Sequence, residues 1–241
     1  RSSSAASDVY KRQDKRWSLN SLKILGVDLT ANYSSVAIKI DDDINSISIS
    51  HSTYARPDWD RLLNNLFPKE IILDDLDAVA YANGPGSFTS LRSAAAFTKA
   101  IAASKKIPLI PVSSLKAMAW ESKKWVKQLP YIIHVCNVAE KENLYYAAYN
   151  LDSNKIDVVT EPTLVTKDFI KQIFNNEDYL IGDAWEDESF ASRLVTDYVS
   201  FSADAVVSIA SSYIIQKKSF SDSDIEPIYL TNPNYRKIKD D

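Results

Sequence analysis

The chain has 241 residues, of which 45% are hydrophobic and 25% charged, and its net charge is near −4. This composition indicates a globular protein long enough to bury one large core or two of ordinary size. The acidic balance argues against a protein that grips nucleic acid through its own charge, because phosphate binding needs clustered lysine and arginine. The single cysteine excludes an internal disulfide framework, and no apolar stretch approaches the ~18 residues of a membrane span. Because no secretory signal is visible either, we predict a cytoplasmic protein.

Residues 1–21 differ from the rest of the chain. They lack apolar periodicity and a starting methionine, and the segment DVYKRQ within them is typical of a translated sequencing-adapter end. We therefore predict a disordered or artefactual extension and begin the fold prediction at Leu22.

Three strands and a helix open the predicted fold. LKILGVDLT (22–30), SSVAIKI (34–40) and INSISIS (44–50) are typical of a strand meander. After Pro57 and Asp58, apolar residues at positions i, i+3, i+4, i+7 and i+8 predict a helix with one buried stripe. The stripe consists of Trp59, Leu62, Leu63, Leu66 and Phe67.

Two strand–helix pairs follow. LDAVAYA (76–82) predicts a strand that runs into the turn NGPGSFT, and the alanine-rich segment 88–103 predicts a helix. IPLIPVSS (107–114) predicts another buried strand. A helix that starts at a serine cap is then expected to continue to Val126.

A similar order of elements recurs after Pro130, although no sequence repeat is visible. We predict strands over 131–138, 143–151 and 155–165, a helix over 166–174, a strand over 178–185 and a helix over 203–216. The economical interpretation is an α/β protein with two similar lobes, 22–115 and 116–241, joined around residues 115–130.

The turn after the fourth strand is the main motif. The chain has only four glycines, and two of them, Gly84 and Gly86, flank Pro85. Glycines in such a turn can adopt positive φ, and Ser87 is placed to cap the next helix, whose first N–H groups can bind an anion. The alternative is a tight strand-to-helix connection that binds nothing. The spacing of a P-loop is absent.

The two helices of the first lobe carry more apolar and small residues than one small sheet needs. This pattern fits either a partner surface or plain core, and both interpretations stay open. The candidate interface residues are Trp59, Leu62, Leu63, Leu66, Phe67, Ala94, Ala95, Thr98 and Ile101.

Several segments resemble one protein family. NGPGSFTSLRSAAAFTKAIA (83–102) closely resembles the GPGSFTGLR segment of the TsaB (YeaZ) family, although Ser90 replaces a glycine. ILGVDLTANYSSVAI (24–38), NLYYAAY (143–149) and EPIYL (226–230) resemble further segments of the same family in the same order. The resemblance covers about residues 22–238.

The resemblance implies the two-lobed fold of the actin, Hsp70 and sugar-kinase group. It also implies a role in forming threonylcarbamoyladenosine in tRNA, as a non-catalytic subunit without a metal of its own. Such a subunit forms a heterodimer with TsaD, the ATP- and metal-binding catalytic subunit, which a TsaE ATPase joins. The family's contact surface corresponds to the helices near 57–67 and 88–103. Contact with tRNA is then expected only through the complex, and the lone chain can self-associate.

Comparison with kinase-like members of that fold supports a non-enzymatic subunit. They hold Mg²⁺ with acidic residues at the first strands of both lobes. Asp28 occupies the first position, but the second is Asn137, and the only histidines, His51 and His134, lie far apart. We expect no catalytic residue and no cofactor beyond weak ATP or ADP binding at a vestigial site. That site comprises Asp28, Gly84, Gly86, Ser87, Thr89 and Arg92.

Two alternatives remain open at the level of sequence. A self-sufficient ATP-dependent phosphotransferase would use Asp28 and the 84–89 turn, and would turn over nucleotide without a partner. A homodimeric regulator would use the same two helices as the heterodimer. A dimer alone would not separate these possibilities.

Overall fold

The structure of the chain is a computed structural model. It describes residues 22–30, 33–50, 57–66, 73–139, 142–173, 178–185, 191, 193–196 and 202–231. The extension 1–21, His51 and the interface candidate Phe67 lie outside the described residues.

The first half of the chain forms a five-stranded mixed sheet. Its strands are β1 (Lys23–Asp28), β2 (Tyr33–Ile40), β3 (Asp43–Ser50), β4 (Ala78–Ala82) and β5 (Leu109–Val112). Their order across the sheet is β3-β2-β1-β4-β5. Strand β2 is antiparallel to both of its neighbours, β1 and β3, whereas β4 and β5 run parallel to β1. The predicted meander is confirmed. Central β1 has no polar alternation because both of its faces are buried.

The second half forms another five-stranded sheet. Its strands are β6 (Tyr131–Val138), β7 (Asn143–Leu151), β8 (Ile156–Thr166), β9 (Tyr179–Ile181) and β10 (Leu194–Thr196). Their order is β10-β9-β6-β7-β8, with the same antiparallel and parallel pairings. If β6 is counted as the first strand, this order, taken from the opposite end, is 3-2-1-4-5, the order of the first sheet. The predicted two-lobed fold is therefore confirmed.

Helices cover both sheets. They are α1 (Trp59–Leu66), α2 (Phe88–Lys105), α3 (Ser114–Glu121), α4 (Lys167–Ile173) and α5 (Ala203–Ile215), with 3₁₀ turns at Leu73–Asp75 and Ser122–Lys124. The expectation that the third helix continues to Val126 is wrong, since the α-helix ends at Glu121. There the Ser122 hydroxyl donates to the Ala119 carbonyl and a 3₁₀ turn takes over. Strand β10 was not predicted, because three residues in a polar stretch carry no periodic signal.

The central core lies between the two sheets and contains α3 and α5. α3 follows the first sheet but packs on β6 and β7, whereas α5 follows the second sheet and packs on β1 and β2. A Cβ atom at Gly26 in β1 would stand 2.5 Å from Cγ1 of Val207 in α5, so this glycine permits the close approach. The lobe boundary between residues 115 and 116 stays a prediction. Helices α3 and α5 each pack on the sheet formed by the other half of the chain.

Candidate functional site

The glycine turn joins β4 to α2 and is bonded to the next strand–helix connection. The Gly84 amide donates to the Ser114 hydroxyl at 3.1 Å, and the Ser114 amide donates to the Gly84 carbonyl at 2.8 Å. Gly86 lies against the segment after β1, where an added Cβ atom would stand 3.1 Å from Cβ of Thr30. The turn therefore links β1, β4 and α3 at one edge of the first sheet.

A C-terminal strap, residues 221–231, crosses over this turn. The Ile228 amide donates to the Asn83 carbonyl at 2.7 Å. The ring of Tyr229 stacks on Phe88 at the start of α2, with centroids 4.1 Å apart. The strap includes the EPIYL segment, so two family-like motifs that lie far apart in the sequence meet in space.

The backbone of Gly84 allows the strap to approach. Its φ is 109°, a conformation that L side chains rarely adopt, and an added Cβ atom would stand 2.7 Å from the Ile228 carbonyl oxygen. Glycine is therefore required at this position by the chain's own packing. This favours the interpretation of the motif as a structural junction.

Ser87, Thr89 and Arg92 lie at the exposed start of α2. Ser87 occupies the N-cap position, but its side chain makes no capping hydrogen bond. The Arg92 guanidinium lies 4.5 Å from the centroid of the Phe88 ring. The structure therefore brings these residues together beside the strap, and anion binding there stays a prediction.

Asp28 ends β1 and is 1% exposed. Its Oδ1 accepts hydrogen bonds from the Thr30 amide at 2.9 Å and the Thr30 hydroxyl at 2.6 Å. Among the described residues, its Oδ2 has no hydrogen-bond partner. Burial raises the pKa of this carboxyl, against the effect of the two hydrogen bonds. Burying a carboxylate that lacks part of its hydrogen bonding costs stability. Residues that are kept despite such a cost and have a shifted pKa are candidates for a functional role.

Other carboxylates lie in the same buried region. Glu121 at the end of α3 is 5% exposed and pairs with Lys124. Burial raises the pKa of Glu121, the paired Lys124 ammonium opposes that rise, and the charges of Asp204 and Asp28 add to it. Within the described ranges, no three His, Cys, Asp or Glu side chains are grouped so that they could hold a metal ion.

Asn137 lies in β6, which takes the place in the second sheet that β1 takes in the first. Its side chain is buried, and Nδ2 donates to Sδ of Met118 at 3.3 Å. Oδ1 accepts a hydrogen bond from the Asp183 amide at 3.4 Å. The amide thus connects α3 and the turn after β9 to the central strand of the second lobe.

His134 and Cys136 are buried residues of β6, within the strand predicted over 131–138. His134 Nδ1 lies 2.7 Å from the Tyr146 hydroxyl, and Nε2 lies 3.0 Å from Oδ2 of Asp178. Cys136 is fully buried, and burial raises the pKa of its thiol to about 12. Neither side chain is available for the metal or nucleophilic chemistry that these residue types can perform.

Most of the predicted interface residues lie inside the first lobe. α1 and α2 pack on the outer face of the first sheet, and six candidate side chains on them are buried. These are Leu62, Leu66, Ala94, Ala95, Thr98 and Ile101. Their packing on the chain's own sheet leaves these six side chains little free surface, so their part in a partner contact stays a prediction. They hold the two helices in position.

A different face of the same helices is accessible. Trp59 and Leu63 are half-buried, and the indole of Trp59 stacks on Phe97, with centroids 3.8 Å apart and planes 8° from parallel. Ala96 and Ala100, about one turn apart on α2, are exposed. We call this surface, together with Ala103, the outer face of α1 and α2.

The strap and a polar cluster beneath it were not predicted from the sequence. Lys116 lies on α3, which is otherwise buried almost all round, and is itself only 8% exposed. Tyr149 of β7 is buried nearby. A lysine in a helix without a polar face was the signal that could have located this cluster.

The topology and the comparisons now define the protein. Two sheets of one strand order, with helices shared between them, define the two-lobed class of actin, Hsp70 and the sugar kinases. The solved structure of YeaZ from Pseudomonas aeruginosa has the same fold, with a TM-score of 0.72 at 18% identity, over 87% of this chain and 100% of that one. No helix in the described part of the chain has the length and apolar character needed to cross a membrane.

Sequence comparisons identify the family. A family model described as TsaD, tRNA N6-adenosine threonylcarbamoyltransferase, matches residues 46–238. The tRNA threonylcarbamoyladenosine biosynthesis protein TsaB of Haemophilus influenzae is 26% identical over 89% of this chain and 95% of its own length. TsaB of Buchnera aphidicola from Acyrthosiphon pisum is 31% identical over 64% of this chain and 69% of its own length. The chain belongs to the TsaB (YeaZ) family of tRNA threonylcarbamoyladenosine biosynthesis proteins.

Proposed function

We propose that the chain is a non-catalytic subunit that binds and activates a TsaD-like catalytic subunit during threonylcarbamoyladenosine formation in tRNA. The contact is made by the outer face of α1 and α2. The six buried candidates take part indirectly, because they fix the position of the two helices on the sheet.

The observation that carries this proposal is the chemistry of that outer face. Ala96, Ala100 and Ala103 are all exposed on one side of α2. Solvent-facing helix positions in a monomer are usually charged or polar, and small side chains let a second helix approach closely. The stacked Trp59 and Phe97 rings lie on the adjoining side and can fill the space between helices.

Two features support a non-catalytic role. Asn137 is engaged with Met118 and the Asp183 amide, and the glycine turn is covered by the strap. A phosphotransferase of this fold would need both positions to bind nucleotide, whereas here Asn137 and the glycine turn make structural contacts. Weak ATP or ADP binding near Asp28 and the exposed start of α2 stays part of the proposal.

The wider setting follows from the same proposal. A TsaE-like ATPase reaches this chain through the complex, and tRNA contacts it only indirectly, in agreement with its net charge near −4. The protein acts in the cytoplasm. In the absence of the catalytic subunit, two copies of the outer face can form a homodimer.

The test is co-expression of the full chain with the TsaD protein of the same genome. Ala100→Arg places a long charged side chain on the outer face, where the exposed position tolerates it in the folded monomer. We expect a stable 1:1 complex with wild type and at least tenfold lower recovery with the variant. Val159→Arg is the control, since Val159 is 54% exposed on β8 of the other lobe. It should bind like wild type.

Two results would contradict the proposal. The first is a complex that forms equally well with Ala100→Arg, which would exclude the outer face as the contact. The second is the absence of any complex together with ATP hydrolysis by the lone chain, which would favour the phosphotransferase.

A further inference from the structure

Strand β3 forms one edge of the first sheet. Within the described residues it pairs with β2 alone, and no strand takes up the backbone N–H and C=O groups on its other side. A row of such groups is a template on which a strand of another chain can add to the sheet. Whether an edge is open to this pairing depends on its length, its regularity and its side chains.

The other three edge strands of the two described sheets carry features that prevent pairing. β5 and β10 have only four and three residues, and β5 includes Pro111. β8 is longer, but it includes Pro162, and its register with β7 shifts at two points. Short length, proline and local irregularity are the devices by which proteins close their sheet edges.

β3 has none of these devices. It has eight residues, DINSISIS, without proline, lysine or arginine, and it pairs with β2 in one register from end to end. Its single charged residue, Asp43, stands at the start of the strand. Ile44 is 39% exposed, so part of the strand's apolar surface also lies open to solvent. This edge is therefore suited to accept a further strand.

The two faces of β3 make the strand complementary to itself. Ile47 and Ile49 lie on the side of α1, partly buried against the core of the first lobe, whereas Ser46, Ser48 and Ser50 are exposed on the other side. Directly opposed residues of an antiparallel pair have their side chains on the same face. If Ser48 faces the Ser48 of an identical strand, each Ile47 faces an Ile49. Each Ser46 then faces a Ser50, so isoleucine meets isoleucine and serine meets serine.

We propose that β3 pairs antiparallel with β3 of a second copy of this chain, about a two-fold axis at Ser48. The pairing joins the first sheets of two molecules into one continuous sheet. Asp43 lies outside the paired residues 46–50, so no like charges oppose each other. The paired segment is short, which makes the dimer weak and dependent on concentration. The outer face of α1 and α2 takes no part in the strand pairing, and this inference does not depend on the proposed function.

Cysteine cross-linking of the full chain tests the register. In Ser48→Cys the two thiols of a dimer face each other across the axis, where the Cβ atoms of opposed residues lie about 4.5–5.5 Å apart. In Ser46→Cys, the matched control, four residue steps separate the two thiols, about 13 Å along the strand. We expect mild oxidation to link Ser48→Cys at least tenfold faster than Ser46→Cys, while buried Cys136 leaves wild type unlinked. Equal rates for the two variants, or no linked dimer of either, would overturn the proposal.

Sedimentation of the full chain over a range of concentrations tests the dimer itself. Ser48→Lys sets two ammonium groups against each other at the axis, and the exposed position tolerates the side chain in the monomer. We expect at least tenfold weaker dimerisation than wild type. Val159→Lys, on the exposed part of β8, is the control and should dimerise like wild type.

Ala100→Arg separates this dimer from one formed through the outer face of α1 and α2. We expect it to dimerise like wild type, because Ala100 lies on α2 and not on β3. A dimer that is lost in Ala100→Arg and kept in Ser48→Lys would assign the contact to the outer face and overturn the proposal. A wild-type chain that stays monomeric at every concentration would overturn it as well.

Discussion

The glycine turn offers a direct test of how the strap is held. In Gly84→Ala, the new Cβ atom would stand 2.7 Å from the Ile228 carbonyl oxygen, in a residue whose φ is 109°. Holding a non-glycine residue in such a conformation costs about 1–3 kcal/mol. Displacing the strap also breaks the bond from the Ile228 amide to the Asn83 carbonyl, which contributes about 0.5–1.5 kcal/mol. We therefore expect Gly84→Ala to lower the free energy of unfolding by about 2–4 kcal/mol.

The assay combines urea unfolding, followed by circular dichroism, with hydrogen exchange at the Ile228 amide. Gly86→Ala is the matched control. Gly86 lacks a positive φ, and its added Cβ atom, 3.1 Å from Cβ of Thr30, requires only a small shift of that side chain, so we expect a clearly smaller cost than for Gly84→Ala. The Ile228 amide should lose protection in Gly84→Ala alone. Equal costs for the two variants, with the amide still protected in both, would refute the reasoning.

Three further predictions concern buried side chains. Cys136 should resist thiol reagents at pH 8 until denaturant is added, because burial raises its pKa to about 12, and rapid native labelling would contradict its burial. Leu62→Ala should lower the free energy of unfolding in urea by about 2–5 kcal/mol, because Leu62 is fully buried. Leu63 is only half-buried, so Leu63→Ala should lower it less than half as much, and similar losses would place both residues in the core. Burial raises the pKa of Asp28 in the folded protein above its ordinary value of 3.8. The free energy of unfolding should therefore fall as the pH rises from this ordinary value to the raised one, because the buried carboxyl then loses its proton. Asp28→Asn can keep both bonds from Thr30, and its thermal midpoint at pH 7 should therefore exceed that of wild type; a lower midpoint would show that the carboxylate stabilises the fold.

The strap changes the meaning of the motif that dominates the sequence. A strand, a glycine turn and a helix start together resemble an anion site, and the exposed start of α2 keeps that geometry. The turn itself, however, is bonded to Ser114 and covered by Ile228. The same short segment therefore connects the first lobe to the C-terminal strap, and Gly84 is needed whether or not nucleotide binds.

Local patterns in the sequence determined most elements of the fold. Alternating and continuous apolar runs predicted nine of the ten strands within the described ranges, because the side-chain period of a strand is read directly from neighbouring residues. The 3.6-residue period of Trp59, Leu62 and Leu66 predicted α1 in the same way. The glycine-rich turn and the resemblance around it indicated the family, which the comparisons confirmed.

Only the tertiary structure decided what each apolar face contacts. Periodicity shows that a stripe is buried, but burial in the chain's own core and burial against a partner leave the same pattern in sequence. Leu62 and Leu66 proved to be core, whereas Ala96 and Ala100 are exposed. The exchange of α3 and α5 between the sheets and the strap over Gly84 depend on contacts between residues far apart in the chain. Such contacts join segments that are distant in sequence, so no local pattern records them.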